Sequence, residues 1–267
     1  MSQPLAASNA RLKELRKLSR RSERSERRLF LADGPKAVEG ALGVPDCVVE
    51  VFATPAASEQ YAALLAGAPK VTPVDDRAMA GLSDSVTPAG LVAVCRFLED
   101  VAGAAGLAGE RPREAAHLLA ICADVRDPGN AGTVIRCADA AGADRVVLAG
   151  DSVDLYNPKT IRASVGSVFH LPVTVERDPA AAVAAAKAAG LTVLAADMDG
   201  EDLFAADEVL RRPTAWLFGN EAWGIPQELR SLADHVVSIP IYGRAESLNL
   251  STAAAVCLYA SARARRQ

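Results

Sequence analysis

Short apolar runs alternate with helical stretches through the chain from residue 116 onward. Most runs are apolar at consecutive positions, so both faces of each predicted strand are expected to be buried. Such strands, separated by helices, are typical of a parallel sheet covered by helices on both faces, an α/β fold. The predicted strands are 117–124, 145–149, 173–176, 192–197, 214–219 and 235–239. The predicted helices are 131–141, 158–168, 179–189, 226–232 and 248–265.

The first hundred residues predict a smaller α/β unit, with helices at 35–42 and 57–67 and strands at 47–53, 70–74 and 90–97. The following stretch is rich in Gly, Ala and charge and has no apolar periodicity, which is typical of a linker. We therefore expect an N-terminal domain over 1–100, a linker over 101–115 and a C-terminal domain over 116–267.

Composition narrows the class of protein. Half of the 267 residues are hydrophobic and only 4% are aromatic, which favours alanine-rich helix packing over a β-sandwich. The five cysteines form no C-x-x-C and the three histidines no H-x-x-x-H, so we expect free thiols and no metal. No apolar run approaches about 18 residues. We expect a cytoplasmic protein without a membrane partner.

The net charge of −4 conceals a basic segment near the N-terminus. Residues 11–28 hold nine Lys/Arg and three Glu, a local charge of +6. Leu12, Leu15 and Leu18 recur at helical spacing, with cations on the other faces. This segment is either a solvated surface helix or one that contacts nucleic acid. The candidate RNA-binding residues are Arg11, Lys13, Arg16, Lys17, Arg20 and Arg21. A weaker basic cluster, Arg263, Arg265 and Arg266, ends the chain.

Three loop segments follow predicted strands and carry the candidate chemistry. They are D-P-G-N-A-G-T-V-I-R at 127–136, L-F-G-N-E-A-W-G-I-P at 217–226 and I-P-I-Y-G-R-A-E-S-L-N-L-S at 239–251. In the first, Asn130 is suited to N-cap the next helix and Gly142 to end it. In parallel sheets, ligands bind outside the carboxyl ends of the strands, which is where these loops fall. The two later loops together predict a pocket for a small polar molecule.

In order and spacing, these segments resemble the three motifs of the SpoU/TrmH group of SPOUT RNA ribose methyltransferases. N-P-K-T-I-R-A-S at 157–164 resembles a further family segment. The resemblance is strong over 115–267. Residues 8–100 more loosely resemble the family's N-terminal substrate-binding domain, although Asp33 stands where family members often have Glu. The resemblance implies methyl transfer from S-adenosylmethionine to a ribose 2′-hydroxyl of RNA, a deep trefoil knot around the cofactor, and a homodimer.

Carried over residue by residue, the resemblance implies cofactor contacts at Leu217, Gly219, Ile239, Ile241 and Leu248. It implies catalytic roles for Asn130, Arg136, Glu221, Ser247 and Asn249. Because arginine stays protonated, our hypothesis is that Arg136 lowers the pKa of the hydroxyl electrostatically and clamps a phosphate. Asn130 would orient Arg136 or the ribose.

Each remaining polar residue has a bland interpretation beside the functional one. Glu221 either sits favourably near a helix N-terminus or fixes the arginine or the cofactor loop. Helix capping accounts for one of Ser247 and Asn249. Trp223 either packs the loop or stacks on a base.

The predicted function is S-adenosylmethionine-dependent 2′-O-methylation of RNA, with rRNA favoured because the extra domain offers a docking surface. A tRNA methyltransferase and an inactive RNA-binding relative are the alternatives. A dinucleotide enzyme is disfavoured, since no G-x-G-x-x-G follows a first strand.

Overall fold

A computed structural model describes residues 3–101 and 117–266. Apart from Val101, the predicted linker at 101–115 lies outside these residues. The strands are β1 Leu29–Asp33, β2 Val48–Ala53, β3 Val71–Pro73, β4 Leu91–Arg96, β5 Leu118–Ala123, β6 Arg145–Ala149, β7 Val173–Glu176, β8 Thr192–Asp202, β9 Thr214–Phe218 and β10 His235–Ser238. The α-helices are α1 Ala10–Arg16, α2 Arg21–Arg27, α3 Pro35–Leu42, α4 Pro55–Gln60, α5 Ala62–Leu65, α6 Asp76–Leu82, α7 Leu98–Val101, α8 Pro128–Ala141, α9 Pro158–Ser164, α10 Pro179–Ala188, α11 Asp207–Leu210, α12 Gln227–Arg230 and α13 Leu250–Ala264.

The contacts divide the chain into two units. The first comprises Met1–Gly109 with Tyr156–His170, and the second comprises Glu110–Leu155 with Leu171–Gln267. The first unit therefore includes α9, which carries the N-P-K-T-I-R-A-S segment. None of the helices that the structure describes is long and apolar enough to cross a membrane.

The second unit contains a six-stranded sheet in the order β10-β8-β9-β5-β6-β7, in which every adjacent pair is parallel. Along β5 every side chain is buried. Ile121 and Leu217 pack into a cluster with Val183 of α10 and Leu229 of α12. On β9 the indole Nε1 of Trp216 donates a hydrogen bond to Ser261 Oγ of α13, at 2.9 Å. The predicted parallel sheet flanked by helices is confirmed.

The first unit contains a four-stranded sheet in the order β1-β4-β2-β3. Strand β4 pairs antiparallel with β1 and β2, whereas β2 and β3 are parallel. The predicted apolar stripe of the basic segment is confirmed, because Leu12, Leu15 and Leu18 are buried in the core of this unit. The segment is not one helix, however. A 3-10 turn at Lys17–Ser19 separates α1 from α2, and the buried guanidinium of Arg24 donates to the carbonyl oxygens of Leu18 and Ser19.

An aromatic cluster holds Tyr156–His170 within the first unit. The Tyr156 ring stacks on Phe97 with centroids 3.9 Å apart, and it lies 4.7 Å from Phe30. Its hydroxyl accepts a hydrogen bond from the backbone N–H of Leu98. The predicted helix 158–168 ends early at Ser164, because Val165 and Gly166 both adopt positive φ.

Candidate functional site

The loop after β5 leads into α8, and its capping differs from the prediction. Asp127, not Asn130, is the N-cap: its Oδ1 accepts from the backbone N–H of Asn130 at 2.8 Å, and Pro128 occupies the first helical position. Helix α8 therefore begins three residues before its predicted start and ends, as predicted, at Gly142 in the left-handed conformation. Capping by Asp127 leaves the Asn130 side chain available for other partners.

The Asn130 side chain joins the loops that follow β5, β9 and β10. Its Nδ2 donates to Glu221 Oε1 at 3.1 Å, in the loop after β9. Its Oδ1 accepts from Asn249 Nδ2 at 3.0 Å, at the end of the loop after β10. The three sequence segments thus meet beyond the carboxyl ends of the strands, where the side-chain amide of Asn130 connects them.

Glu221 binds the loop after β5 in addition to binding Asn130. Its carboxylate accepts from the backbone N–H groups of Arg126 and Asp127, at 3.2 and 3.1 Å. Partial burial raises the pKa of Glu221, but its hydrogen bonds from its own N–H, Asn130, Arg126 and Asp127 outweigh burial, so the pKa lies below the usual value. The carboxylate is therefore ionised at neutral pH and accepts from each of these groups. Among the described residues it makes no contact with Arg136.

Asn249 is the N-cap of α13. Its Oδ1 accepts from the backbone N–H of Ser251 at 2.9 Å and from the Ser251 hydroxyl at 2.7 Å. Asn249 thus combines capping through its oxygen with binding to Asn130 through its nitrogen. Ser247 is exposed and makes no hydrogen bond to any residue that the structure describes. Capping accounts for Asn249 and leaves the Ser247 hydroxyl unassigned.

The loop after β9 closes on itself so tightly that Gly219 cannot carry a side chain. A Cβ atom at Gly219 would lie 2.3 Å from the backbone carbonyl carbon of Gly224. Asn220 and Gly224 exchange two backbone hydrogen bonds, and the Asn220 Nδ2 donates to the carbonyl oxygen of Asp124 at 2.6 Å. Asn220 therefore ties this loop to the loop after β5.

The residues predicted to contact the cofactor would do so mainly through their backbone groups. The Leu217 side chain is buried in the core, so only its backbone could serve a ligand. Ile239 is half-buried, whereas Ile241 and Leu248 are exposed at 38% and 37%. Residues 241–248 are exposed, and the described chain shows no hydrogen bonds to their backbone groups. A glycine that lets the loop after β9 close tightly, and a run of backbone groups without hydrogen bonds in the described chain, fit the expected cofactor, S-adenosylmethionine, which these residues would hold.

Arg136 projects from the exposed side of α8, and its side chain makes no hydrogen bond or ion pair with the described residues. It lies six residues beyond Asn130, about 9 Å along the helix axis. Asn130 makes no hydrogen bond to Arg136 in the described chain, since its amide is engaged by Glu221 and Asn249, and its predicted role in orienting Arg136 or the ribose stays a prediction. Arg136 is therefore free to meet a ligand.

The sequence did not predict the roles of three residues at the site. Asp127 could have been found, because Asp before Pro at a helix start is a capping pattern. Asn220 and Arg126 gave no such signal, since their partners are distant in sequence. The Arg126 guanidinium binds Asp151 at 3.2 Å and lies 5.4 Å from the Trp223 ring centroid, and Trp223 is 55% exposed.

The candidate RNA-binding cations of the first unit fall into two groups. Arg11 is ion-paired with Glu50, a buried carboxylate that also binds Lys70 and Thr72, and Lys17 pairs with Glu14. The side chains of the others make no hydrogen bond or ion pair within the described chain; these are Lys13, Arg16, Arg20 and Arg21. No cluster of three or more His, Cys, Asp and Glu side chains suited to a metal occurs among the described residues.

Comparison with known families decides the class. The sequence model of the SpoU rRNA methylase family matches residues 117–259, over half of the chain. The chain belongs to this family. An MRM3-like substrate-binding domain matches residues 9–93 of this SpoU family member. The resemblance predicted from the three loop segments is confirmed.

Relatives of this SpoU protein match over its whole length. The 23S rRNA (guanosine(2553)-2'-O)-methyltransferase RlmP of Bacillus subtilis is 34% identical over 260 residues, which are 97% of this chain and 98% of that protein. A crystal structure of an RNA 2'-O ribose methyltransferase matches with a TM-score of 0.82, 32% identity and coverage of 99% and 100%. The SpoU methyltransferase AviRb of Streptomyces viridochromogenes, in complex with AdoMet, matches with a TM-score of 0.79, 31% identity and coverage of 97% and 99%. At the level of the family, the predicted enzyme class and cofactor are confirmed.

Proposed function

We propose that this protein transfers a methyl group from S-adenosylmethionine to a ribose 2′-hydroxyl of rRNA. Within the site, the proposal rests on Asn130, which connects the first loop to Glu221 and Asn249 at hydrogen-bond distance. Full-length similarity to a 23S rRNA 2′-O-methyltransferase favours rRNA over tRNA. The intact polar network argues against an inactive RNA-binding relative.

The cofactor would lie against Leu217, Gly219, Ile239, Ile241 and Leu248. When bound, it supplies an electrophilic methyl group. Gly219 lets the loop after β9 close in the shape that presents its backbone, and the exposed run at 241–248, which makes no hydrogen bond in the described chain, offers donors and acceptors for a polar ligand. Glu221 holds the first loop in position beside it through the N–H groups of Arg126 and Asp127.

The neutral 2′-hydroxyl is a poor nucleophile, so its oxygen must gain negative charge by giving up its proton, here to solvent, as it takes the methyl group. The Arg136 guanidinium is permanently charged and has no partner in the described chain, so it can stabilise that charge and clamp a neighbouring phosphate. Arginine does not accept the proton. Ser247 and the Asn249 amide, at the start of α13, would orient the ribose.

The assembly and the location of the enzyme are part of the same proposal. We infer a homodimer in which the partner subunit completes each site, because Arg136 is exposed and does not contact the Asn130 network within one chain. The exposed apolar side chains of Ile241, Tyr242 and Tyr259 are available for such an interface. A trefoil knot formed by the loops after β9 and β10 would shape the cofactor site. The substrate rRNA implies a cytoplasmic enzyme.

RNA docking would use the first unit, where four cations between Lys13 and Arg21 have no side-chain partner in the described chain; these are Lys13, Arg16, Arg20 and Arg21. Arg11 and Lys17 would contribute less, because carboxylates already hold them.

A methylation assay tests this proposal directly. The purified protein is incubated with radiolabelled S-adenosylmethionine in three separate reactions, which contain unmodified 23S rRNA, 16S rRNA or tRNA. We expect label in one rRNA, in a dinucleotide that resists alkaline hydrolysis because its 2′-oxygen is methylated. Label in tRNA alone would support the tRNA alternative. S-adenosylmethionine binding without label in any RNA would contradict the proposed activity.

A further inference from the structure

A surface cleft of about 450 Å³ lies within the first unit, between the N-terminal segment, α1 and α6. It is lined by Ala6, Ala7, Ser8, Arg16, Asp75, Arg77 and Gly81. Two of these residues are arginines, and Arg77 and Gly81 come from a helix that the sequence pattern did not predict.

Gly81 makes room for the Arg16 guanidinium. A Cβ atom at Gly81 would lie 2.6 Å from Arg16 Nε and 2.8 Å from Arg16 Cζ. Gly81 is the penultimate residue of α6 and its φ is not in the left-handed region, so the helix itself does not require glycine there. The absence of a side chain serves to seat the guanidinium against the helix.

The Arg16 guanidinium has no anionic partner among the described residues. Its Nε is buried and has no hydrogen-bond partner in the described chain. Buried polar groups are nearly always paired, so an orphaned N–H marks a position where a partner is missing. In contrast, Arg11 of the same helix pairs with Glu50. Arg77 is exposed and also has no ion pair among the described residues.

The carboxylate of the cleft is already occupied. Asp75 is the N-cap of α6, and its Oδ1 accepts from the backbone N–H of Ala78 at 2.6 Å. The two guanidinium groups therefore outweigh it in charge. The exposed hydroxyl of Ser8 adds a neutral donor.

We propose that this cleft binds one phosphodiester group of the RNA substrate, between Arg16 and Arg77. The Nε of Arg16 is buried beside Gly81, so the terminal N–H groups of the seated guanidinium, together with those of Arg77, would donate to the phosphate oxygens. This inference rests on the proposed function for the identity of the anion. It adds Arg77 and Gly81 to the docking surface and turns Arg16 from one surface charge among several into part of a defined site.

The replacement Gly81→Ala tests the cleft without altering any charge. The added methyl group pushes the Arg16 guanidinium out of its seat, while alanine suits the helix. Gly67→Ala is the matched control, since its Cβ would meet only the Leu64 carbonyl oxygen, at 3.7 Å. The probe is a fluorescein-labelled 12-nucleotide oligouridylate, titrated by anisotropy at several salt concentrations against the full-length chain. Arg77→Gln is measured in parallel, because it does not depend on how Gly81→Ala folds.

We expect Gly81→Ala and Arg77→Gln each to weaken binding about 3- to 10-fold, with the slope of log K against log salt reduced by about 0.7, as for one lost phosphate contact on a single strand. Gly67→Ala should match the wild type in both quantities. For methyl transfer to rRNA, KM should rise and kcat should be retained. Unchanged salt slopes in both variants would overturn the cleft as a phosphate site, even if the wild-type enzyme methylates rRNA. If both variants show the expected decrease in salt slope but the wild-type enzyme methylates no RNA, the proposed activity would be overturned instead.

Discussion

Asn249 Nδ2 donates a hydrogen bond to Asn130 Oδ1 at 3.0 Å, across 119 residues of sequence. The bond connects the N-terminal turn of α13 to the N-terminal turn of α8. Because Asn249 also caps α13, its two roles can be separated by substitution.

Asn249→Ser should keep the cap and lose the bond to Asn130, since serine caps helices well but is shorter. We expect kcat to fall about 2- to 10-fold, the value of one neutral hydrogen bond, with little change in the free energy of unfolding. Asn249→Ala should also destabilise the protein by about 1 kcal/mol. Single-turnover methyl transfer and urea denaturation measure both effects. Additive losses in the Asn130→Ala/Asn249→Ala double variant would contradict a coupled pair.

Arg136→Ala should reduce methyl transfer about 100-fold or more, because a charge aimed at the developing alkoxide is lost. The free energy of unfolding should change by less than about 0.5 kcal/mol, since the side chain is exposed and has no partner in the described chain. Arg136→Lys should retain part of the activity, because it keeps the charge without the fork. Arg177→Ala, at another exposed arginine, is the control. Full activity of Arg136→Ala with intact RNA binding would falsify the assigned role.

Glu221 should stabilise the folded loop only while it is ionised. Its folded-state pKa is depressed, so its contribution is present above the unfolded pKa and is lost as pH falls through the folded pKa. Between pH 5 and 3.5, we therefore expect Tm to fall less steeply in Glu221→Gln than in the wild type. The difference should be small, because the side chain is exposed. Glu228→Gln is the control. S-adenosylmethionine affinity of the wild type should show no Glu221 titration between pH 6 and 8.

Gly219→Ala should disrupt the loop after β9, because its methyl group would meet backbone atoms of Gly224 and Ile225 that cannot rotate away. We expect a loss of about 2–3 kcal/mol in the free energy of unfolding. S-adenosylmethionine binding, measured by calorimetry, should weaken at least about tenfold, as preorganisation of the loop is lost. Gly67→Ala controls for a generic glycine effect. Wild-type affinity in Gly219→Ala would remove this glycine from the cofactor site.

Trp223 should become shielded when RNA binds. The chain has two tryptophans; Trp216 is fully buried, so acrylamide quenching reports mainly on Trp223, which is 55% exposed. One partner of the ring is the Arg126 guanidinium, and its exposed surface can stack on a base. Saturating rRNA should reduce the quenching constant of the wild type but not of Trp223→Phe. Unchanged quenching would leave loop packing as the role of Trp223.

The sheet could be predicted from the sequence because strands that are buried on both faces consist of consecutive apolar residues. The fully buried β5 and β9 illustrate this. Element ends were less predictable where a few residues compete. Asn130 is a good cap in isolation, but Asp127 followed by Pro128 starts α8 earlier. The helix predicted at 57–67 divides at Tyr61 into α4 and α5.

The site was predictable as a set of loops but not as a set of contacts. Glu221 and Asn130 are 91 residues apart, and nothing local to either residue indicates that they bind one another. The same holds for Arg16 and Gly81, since a glycine in a short helix gives no sign that it seats a guanidinium. Long-range partners depend on the packing of the strands between them.

The exposed run after β10 has a consequence for proteolysis. Its backbone is free of hydrogen bonds within the described chain and it contains Arg244, a residue after which trypsin cleaves. Folded segments resist proteases because their peptide bonds cannot enter the protease cleft. The peptide bond after Arg244 lacks that protection. A ligand or partner subunit that covers the run would slow cutting there. If the proposed cofactor and partner subunit cover this run, the rate of cleavage after Arg244 would measure both binding events without any chemistry being performed.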